Sequence, residues 1–181
     1  GTTASAMQAG VAASGRAAGT AYTRVESVAP GPVALGNASM PAPAHCLVQG
    51  RMNERVGPVD GKSYAIGFEM RLPVEWNGRF FYQANGGLDG AVVPALGGIG
   101  GGAPASSALQ MGFAVISSDA GHAGSLGPLF GVDPQARLDY GYNAVAQLTP
   151  MAKNLIAKAY GRGPDRSYIG GCSNGGRHAM V

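Results

Sequence analysis

Five residues, Gly171-Cys172-Ser173-Asn174-Gly175, set a serine between two glycines in the pattern G-x-S-x-G. A serine hydroxyl becomes a nucleophile when a base takes its proton and N–H donors hold the oxyanion that its attack creates. It must also stand clear of its own backbone, and a tight turn achieves that. Glycine on either flank lets neighbouring backbones approach closely enough for such a turn. Arg166-Ser167-Tyr168-Ile169-Gly170 reads as the strand that enters the turn, and a helix is expected from about Asn174. The positive end of that helix would favour developing negative charge. The backbone N–H of Asn174 is the first candidate oxyanion donor. Asn85-Gly86-Gly87 supplies the second, because it follows another apolar strand and glycine exposes its N–H.

The base is harder to place. The chain order expected with this turn is serine, then an acid, then histidine, yet only eight residues follow Ser173. His178 lies five residues on, along the helix, and should point away from the hydroxyl, as a surface residue. His122, in Asp119-Ala120-Gly121-His122, follows a buried-strand pattern but precedes the serine, so a structural role is expected. His45 carries no signal. The catalytic Asp and His are therefore expected beyond Val181, and this segment alone is expected to be inactive.

The elements that position these residues follow from periodicity. Tyr64, Ile66, Phe68, Met70 and Leu72 alternate strictly and predict a strand ended by Pro73. Glu75-Trp76-Asn77-Gly78 reads as a turn and Arg79–Gln83 as a second strand, so a β-hairpin is expected. Residues 85–102 form a Gly-rich loop, and Pro104–Met111 is expected to be a short helix with Pro104 near its start. Phe113–Ser117 is apolar throughout, as a strand buried on both faces would be. Val145, Leu148, Ala152, Leu155, Ile156 and Ala159 share one face of a helix over Arg137–Tyr160, which Gly161 stops. Pro150 should kink that helix or start a new one capped by Thr149. Alternating strands and helices predict an α/β fold with a largely parallel sheet. With the serine turn, this is an α/β-hydrolase core ending just after its elbow. Residues 1–45 read as a flexible tail and extended lead-in through Met40-Pro41-Ala42-Pro43, and 46–181 as a partial catalytic domain.

Composition narrows the partners. The chain has 181 residues, 45% of them hydrophobic and only 13% charged, so one domain can bury a real core. The net charge is +3 and the basic residues are scattered, which leaves no footprint for nucleic acid. No apolar run of about 20 residues predicts a membrane span. The first residues lack the basic start and apolar stretch of an export signal, which fits a mature chain whose signal has been removed. The two cysteines, Cys46 and Cys172, do not form a metal-site pattern.

Taken as a set, several segments resemble the tannase and feruloyl esterase family. The serine turn Gly170–Arg177 is similar to that family's Cys-Ser signature, and Phe80–Gly87 to its oxyanion segment. Pro73–Arg79, Ser118–His122, Asp133–Asp139 and Tyr160-Gly161 also match. The resemblance runs from about Ala44 to Val181 and is nearest to the bacterial branch of mono(2-hydroxyethyl) terephthalate hydrolases. It implies a secreted or periplasmic serine esterase acting on aromatic acid esters, with Gly87 and Asn174 as oxyanion donors. It further implies a disulfide from Cys172 to a cysteine beside the catalytic His. Family members carry a lid, often with a structural calcium ion, and no cofactor for the chemistry itself. Cys46 corresponds to a family cysteine that usually pairs nearby, yet residues 1–45 hold none, and a Cys46–Cys172 bond would need a Cα separation of about 5.5 Å.

Two other readings compete. Gly98-Ile99-Gly100-Gly101-Gly102-Ala103 fits the dinucleotide fingerprint G-x-G-x-x-A, with Asp119 as a distant acidic residue, although Pro94 suits no central strand before it. Alternatively, the fold retains the serine turn without the triad, as a non-catalytic binding module.

Overall fold

The computed structural model describes residues 3–14, 18–98 and 106–181. Its centre is a six-stranded sheet built from β1 (Thr20–Val28), β4 (His45–Val56), β5 (Ser63–Pro73), β6 (Arg79–Gln83), β7 (Ala114–Ser118) and β8 (Arg166–Gly170). The strand order is β1-β4-β5-β7-β6-β8. The β1, β4, β5 and β7 neighbours pair antiparallel, and β6 pairs parallel with β7 and with β8. A separate hairpin joins β2 (Gly31–Leu35) and β3 (Ala38–Ala42). Among the described residues four α-helices complete the fold: α1 (Ala4–Ala13), α2 (Pro134–Leu138), α3 (Ala144–Tyr160) and α4 (Asn174–His178). A 3-10 segment (Gly124–Val132) precedes α2, and a π-helical turn (Asp139–Asn143) joins α2 to α3.

Each face of the sheet carries its own core. Met7 and Val11 of α1 and Leu148, Leu155 and Ile156 of α3 pack on Ile66, Phe68, Met70 and Leu72 of β5 and on Ile116 of β7. On the other face Phe81 and Val115 meet Met40 of β3, Leu96, Leu109 and Phe113. All five residues of β7 are buried, as its unbroken apolar run predicts. Burial on both sheet faces also reaches the polar alternates of β5. Glu69 and Arg71 are 4% and 6% exposed and bond each other at 2.7 Å. Gln49 and the Ala95 N–H also donate to the Glu69 carboxylate, at 2.9 Å each. His45, which carried no signal, is fully buried, with its Nε2 2.8 Å from Arg71.

The sheet is mixed rather than largely parallel as expected, with three antiparallel pairings and two parallel ones, and other expectations are corrected as well. Strands β5 and β6 do not form a hairpin: β7 lies between them, since an all-apolar strand is most stable where neighbours cover both its edges and both its faces. Among its described residues, the lead-in is not a flexible tail. Thr3 caps α1 by accepting the Ala6 N–H at 3.1 Å, Met7 and Val11 are buried, and β1 pairs along β4. Tertiary burial orders a helix of good helix formers that is too short to be stable alone. Residues 106–112 form turns rather than a helix, and Pro104 lies outside the described residues. Of the two outcomes expected at Pro150, a new helix capped by Thr149 does not form, since α3 runs through Pro150 as one helix. Pro150 and Ala146 are exposed, so the carbonyl that loses its helical N–H partner can turn to water. Gly161 ends α3 in the left-handed conformation at φ 76°, as expected.

Residues 91–96 form no strand and 106–112 no helix, so the described residues around the Gly98–Ala103 loop lack the strand–loop–helix setting of a dinucleotide site. Residues 99–103 themselves lie outside the described ones. Among the described residues no helix is long and apolar enough to cross a membrane.

Candidate active site

The serine turn is held from below by β6. Parallel pairing of β6 with β8 continues into a bond from the Ala84 N–H to the Gly170 carbonyl at 3.0 Å. The chain then reverses at Ser173, whose φ of 57° and ψ of −123° lie where L-residues are rarely found. Two following bonds lock the turn: Gly175 N–H to the Cys172 carbonyl at 2.9 Å, and Arg177 N–H to the Ser173 carbonyl at 3.2 Å. Both glycines of the pattern are sterically required. A β-carbon on Gly171 would stand 2.6 Å from the Ala84 carbonyl oxygen and 2.6 Å from the Gly175 backbone. One on Gly175 would stand only 2.4 Å from the same Ala84 oxygen. The result is an exposed Ser173 at the C-terminal edge of the sheet.

The Gly-rich loop after β6 runs beside this turn. A β-carbon on Gly86 would come within 3.5 Å of the Cys172 carbonyl, and Gly87 adopts φ 63°. Asn85 anchors the start of the loop by donating to Ser117 Oγ at 3.0 Å and to the Ser118 carbonyl at 2.9 Å. At its far end, Gly90 N–H bonds the Asp119 carbonyl at 3.0 Å. Ser173, Gly87 and Asn174 are thereby brought to one end of the sheet by β8, the β6 loop and α4.

The histidines fall as follows. His122 is 2% exposed and stacks on Phe130 with centroids 3.7 Å apart, while burial lowers its pKa, in keeping with a structural role. His178 is not a surface residue, which corrects the expectation above. Its side chain is 4% exposed and its Nε2 lies 2.9 Å from Asp89 Oδ2. What covers it is the Asp89 side chain of the Gly-rich loop. Among the described residues no histidine bonds Ser173.

Sequence reasoning missed the network behind the turn. Asn174 Nδ2 donates to Asp89 Oδ2 at 2.7 Å, and Asn174 Oδ1 accepts from Arg177 Nε at 2.8 Å and Tyr140 OH at 3.1 Å. Arg177 also donates to the carbonyls of Gly141 at 2.7 Å and Tyr140 at 2.9 Å, in the π-helical turn. The four-residue spacing of Asn174 and His178 places them on one helix face and was the available signal. Asp89, in a loop, offered none. Nearby, burial pushes the Asp119 carboxyl up to about 6, although Gly67 and Gly121 N–H groups donate to its Oδ1 at 2.9 and 2.8 Å. Ala120 beside it adopts φ 59°.

Cys46 and Cys172 are both free; Cys46 is buried, with its thiol pushed up to about 11, and Cys172 is exposed. Among the described residues no three His, Cys, Asp or Glu side chains converge to hold a metal ion.

The mixed sheet, the flanking helices and the strand–turn–helix at Ser173 define an α/β-hydrolase core. Over residues 46–181 the sequence matches the family described as tannase and feruloyl esterase, and the chain belongs to that family. It is 46% identical over 170 residues to a mono(2-hydroxyethyl) terephthalate hydrolase of Piscinibacter sakaiensis, covering 89% of this chain and 28% of that protein. It is 38% identical over 109 residues to a probable feruloyl esterase B-1 of Aspergillus fumigatus, covering 60% of this chain and 19% of that one. The chain thus spans under a third of the length of either relative. Among solved structures, feruloyl esterase B from Aspergillus oryzae superposes with a TM-score of 0.72 at 25% identity, covering 95% of this chain and 33% of the other. An esterase from the same fungus shares the fold with a TM-score of 0.76 at 24% identity, covering 97% of this chain and 34% of the other.

Proposed function

We propose that this chain is the nucleophile-bearing part of a secreted or periplasmic carboxylic ester hydrolase that acts on esters of aromatic acids through an acyl-enzyme. Ser173 attacks the ester carbonyl, a histidine carried later in the family's chain order takes its proton, and the alcohol leaves. Water then attacks the acyl-serine. The N–H groups of Gly87 and Asn174 hold the oxyanion, each worth about 3 kcal/mol in comparable enzymes. No metal takes part in this scheme. Without the Asp and His of the triad the segment alone does not turn over. The family resemblance assigns Cys172 a disulfide to the loop of the catalytic His, and its exposure beside Ser173 leaves it accessible to such a partner. Where family members carry a structural calcium ion, the resemblance assigns it to the lid.

The observation that carries the reading is the backbone of Ser173, held at φ 57° and ψ −123° between two glycines that tolerate no β-carbon. Strain of this kind persists where the surrounding structure overdetermines it, characteristically at active sites. The relatives named above motivate the substrate class. The test is Ser173→Ala in the full-length chain, assayed on methyl ferulate, methyl gallate and mono(2-hydroxyethyl) terephthalate. Activity on at least one ester should be abolished by the substitution. Full retention would remove Ser173 from the mechanism.

A further inference from the structure

We propose that Asp89 and His178 are positioning residues that set the spacing of the oxyanion donors, by tying the loop that carries Gly87 to the helix that begins with Asn174. The proposal rests on the donor assignment made above. The two donors sit on separate segments, so their spacing is only as fixed as the ties between those segments. Residues 86–88, the tip of the loop, are exposed and gain nothing from core packing. Asn85 and Gly90 hold the two ends of the loop to the end of β7 and the residue after it, not to α4.

Asp89 crosses to the other side. It follows Gly87 by two residues, and its side chain is 2% exposed. Its Oδ2 accepts both Asn174 Nδ2 at 2.7 Å and His178 Nε2 at 2.9 Å. These two donors are four residues apart on α4, so one carboxylate oxygen grips one face of the helix. Among the described residues no other side chain of residues 85–90 bonds α4. The backbone accommodates the grip at a cost, since Asp89 itself adopts φ 56°. The Asn174 amide is held in the matching orientation because Tyr140 OH and Arg177 Nε occupy its oxygen, leaving Nδ2 for Asp89. A buried carboxylate is costly without donors, so the loop has strong reason to stay where Asn174 and His178 supply them.

Loss of an entire oxyanion donor lowers kcat by a factor on the order of 10²–10³. Releasing the tie displaces a donor without deleting it, which predicts a smaller loss, about tenfold or more. The experiment uses the full-length enzyme with Asp89→Ala, His178→Ala and the conservative Asp89→Asn. Kinetics on the best ester are read beside inhibition by phenylboronic acid, whose tetrahedral adduct needs the oxyanion hole. Expected is a kcat about tenfold lower in both alanine variants, KM within about twofold of the parent, and boronate inhibition weakened in step with kcat. Asp89→Asn, whose amide oxygen still accepts both donors and which tolerates positive φ, should recover most of kcat. An unchanged kcat in both alanine variants would overturn the proposal, as would equal losses in Asp89→Asn and Asp89→Ala. If the alanine variants do not fold, Asn174→Ala keeps its backbone N–H and removes the link to Asp89 together with the bonds its oxygen accepts from Tyr140 and Arg177. It should show the same kcat loss, and parental kcat there also overturns the tie. Retained activity in Ser173→Ala would instead bring down the underlying reading, independently of these variants.

Discussion

Gly175 and Gly176 are adjacent on α4, yet only the first is pressed against the sheet. A β-carbon on Gly175 would lie 2.4 Å from the Ala84 oxygen, 3.0 Å from the Ala84 carbonyl carbon and 3.0 Å from the Asn85 oxygen. Carbon and oxygen approach to about 3.3 Å at closest in ordinary contacts, so Gly175→Ala forces a shift of about 1 Å between α4 and the end of β6. No flexible side chain is available to yield, because all three of these obstacles are backbone atoms. Overpacking of this kind costs about 1–3 kcal/mol. The shift falls between Ser173 and the loop bearing Gly87, where a 1 Å misplacement can cost on the order of 10²-fold in rate. For Gly176 the nearest atom would be the Gly171 oxygen at 3.5 Å, an ordinary contact. Gly176→Ala should therefore be neutral or stabilising by up to about 1 kcal/mol, the helical preference of alanine over glycine. The assay is the rate at which a fluorophosphonate modifies Ser173 in each full-length variant, followed by intact mass, with urea midpoints measured alongside. Gly175→Ala should label at least about tenfold more slowly and Gly176→Ala at the parental rate. Equal labelling rates in the two variants would refute the steric argument for the second glycine of the pattern.

Two further outcomes follow from buried carboxyls. The Asp119 carboxyl is raised from its ordinary 3.8 to about 6, so the native state takes up that proton before the unfolded chain does. Its stability contribution is full below about 3.8 and lost as pH rises through 6. Asp119→Asn keeps an oxygen for the Gly67 and Gly121 N–H groups without the charge. Relative to the parent it should gain stability above pH 6, with the gain shrinking as pH falls toward 3.8; urea titrations at several pH values check this, and a pH-independent difference refutes it. Asp133 accepts Arg55 NH1 at 3.1 Å and NH2 at 2.5 Å, and caps α2 through the Ala136 N–H at 2.8 Å. The bond from Arg55 holds its carboxyl below the ordinary range, so this contribution is present above 3.8 and lost as pH falls through the lowered value. Asp133→Ala should cost about 3 kcal/mol near neutral pH, combining a lost cap with an orphaned arginine. A loss under about 0.5 kcal/mol by urea denaturation would place Asp133 with ordinary surface residues.

The parts of this protein legible in its sequence are those governed by neighbours along the chain. Alternation in Tyr64–Leu72, the apolar run at Phe113–Ser117 and the face of α3 each encode burial locally, and all three elements form there. The serine turn is local as well, since its two glycines answer to a backbone reversal within five residues. Tertiary structure decided the rest. Strand β7 entered between β5 and β6 because burial on every side outweighs the short connection that favoured a hairpin. Helix α1, too short to hold on its own, formed because Met7 and Val11 found the sheet. His178 was read as exposed from its own helix, yet Asp89 covers it from 89 residues away. Spacing can report which residues share a face of one element. Which distant loop will lie against that face depends on packing of the whole chain, and the Asp89 grip on α4 exists only once both segments have docked on the same sheet.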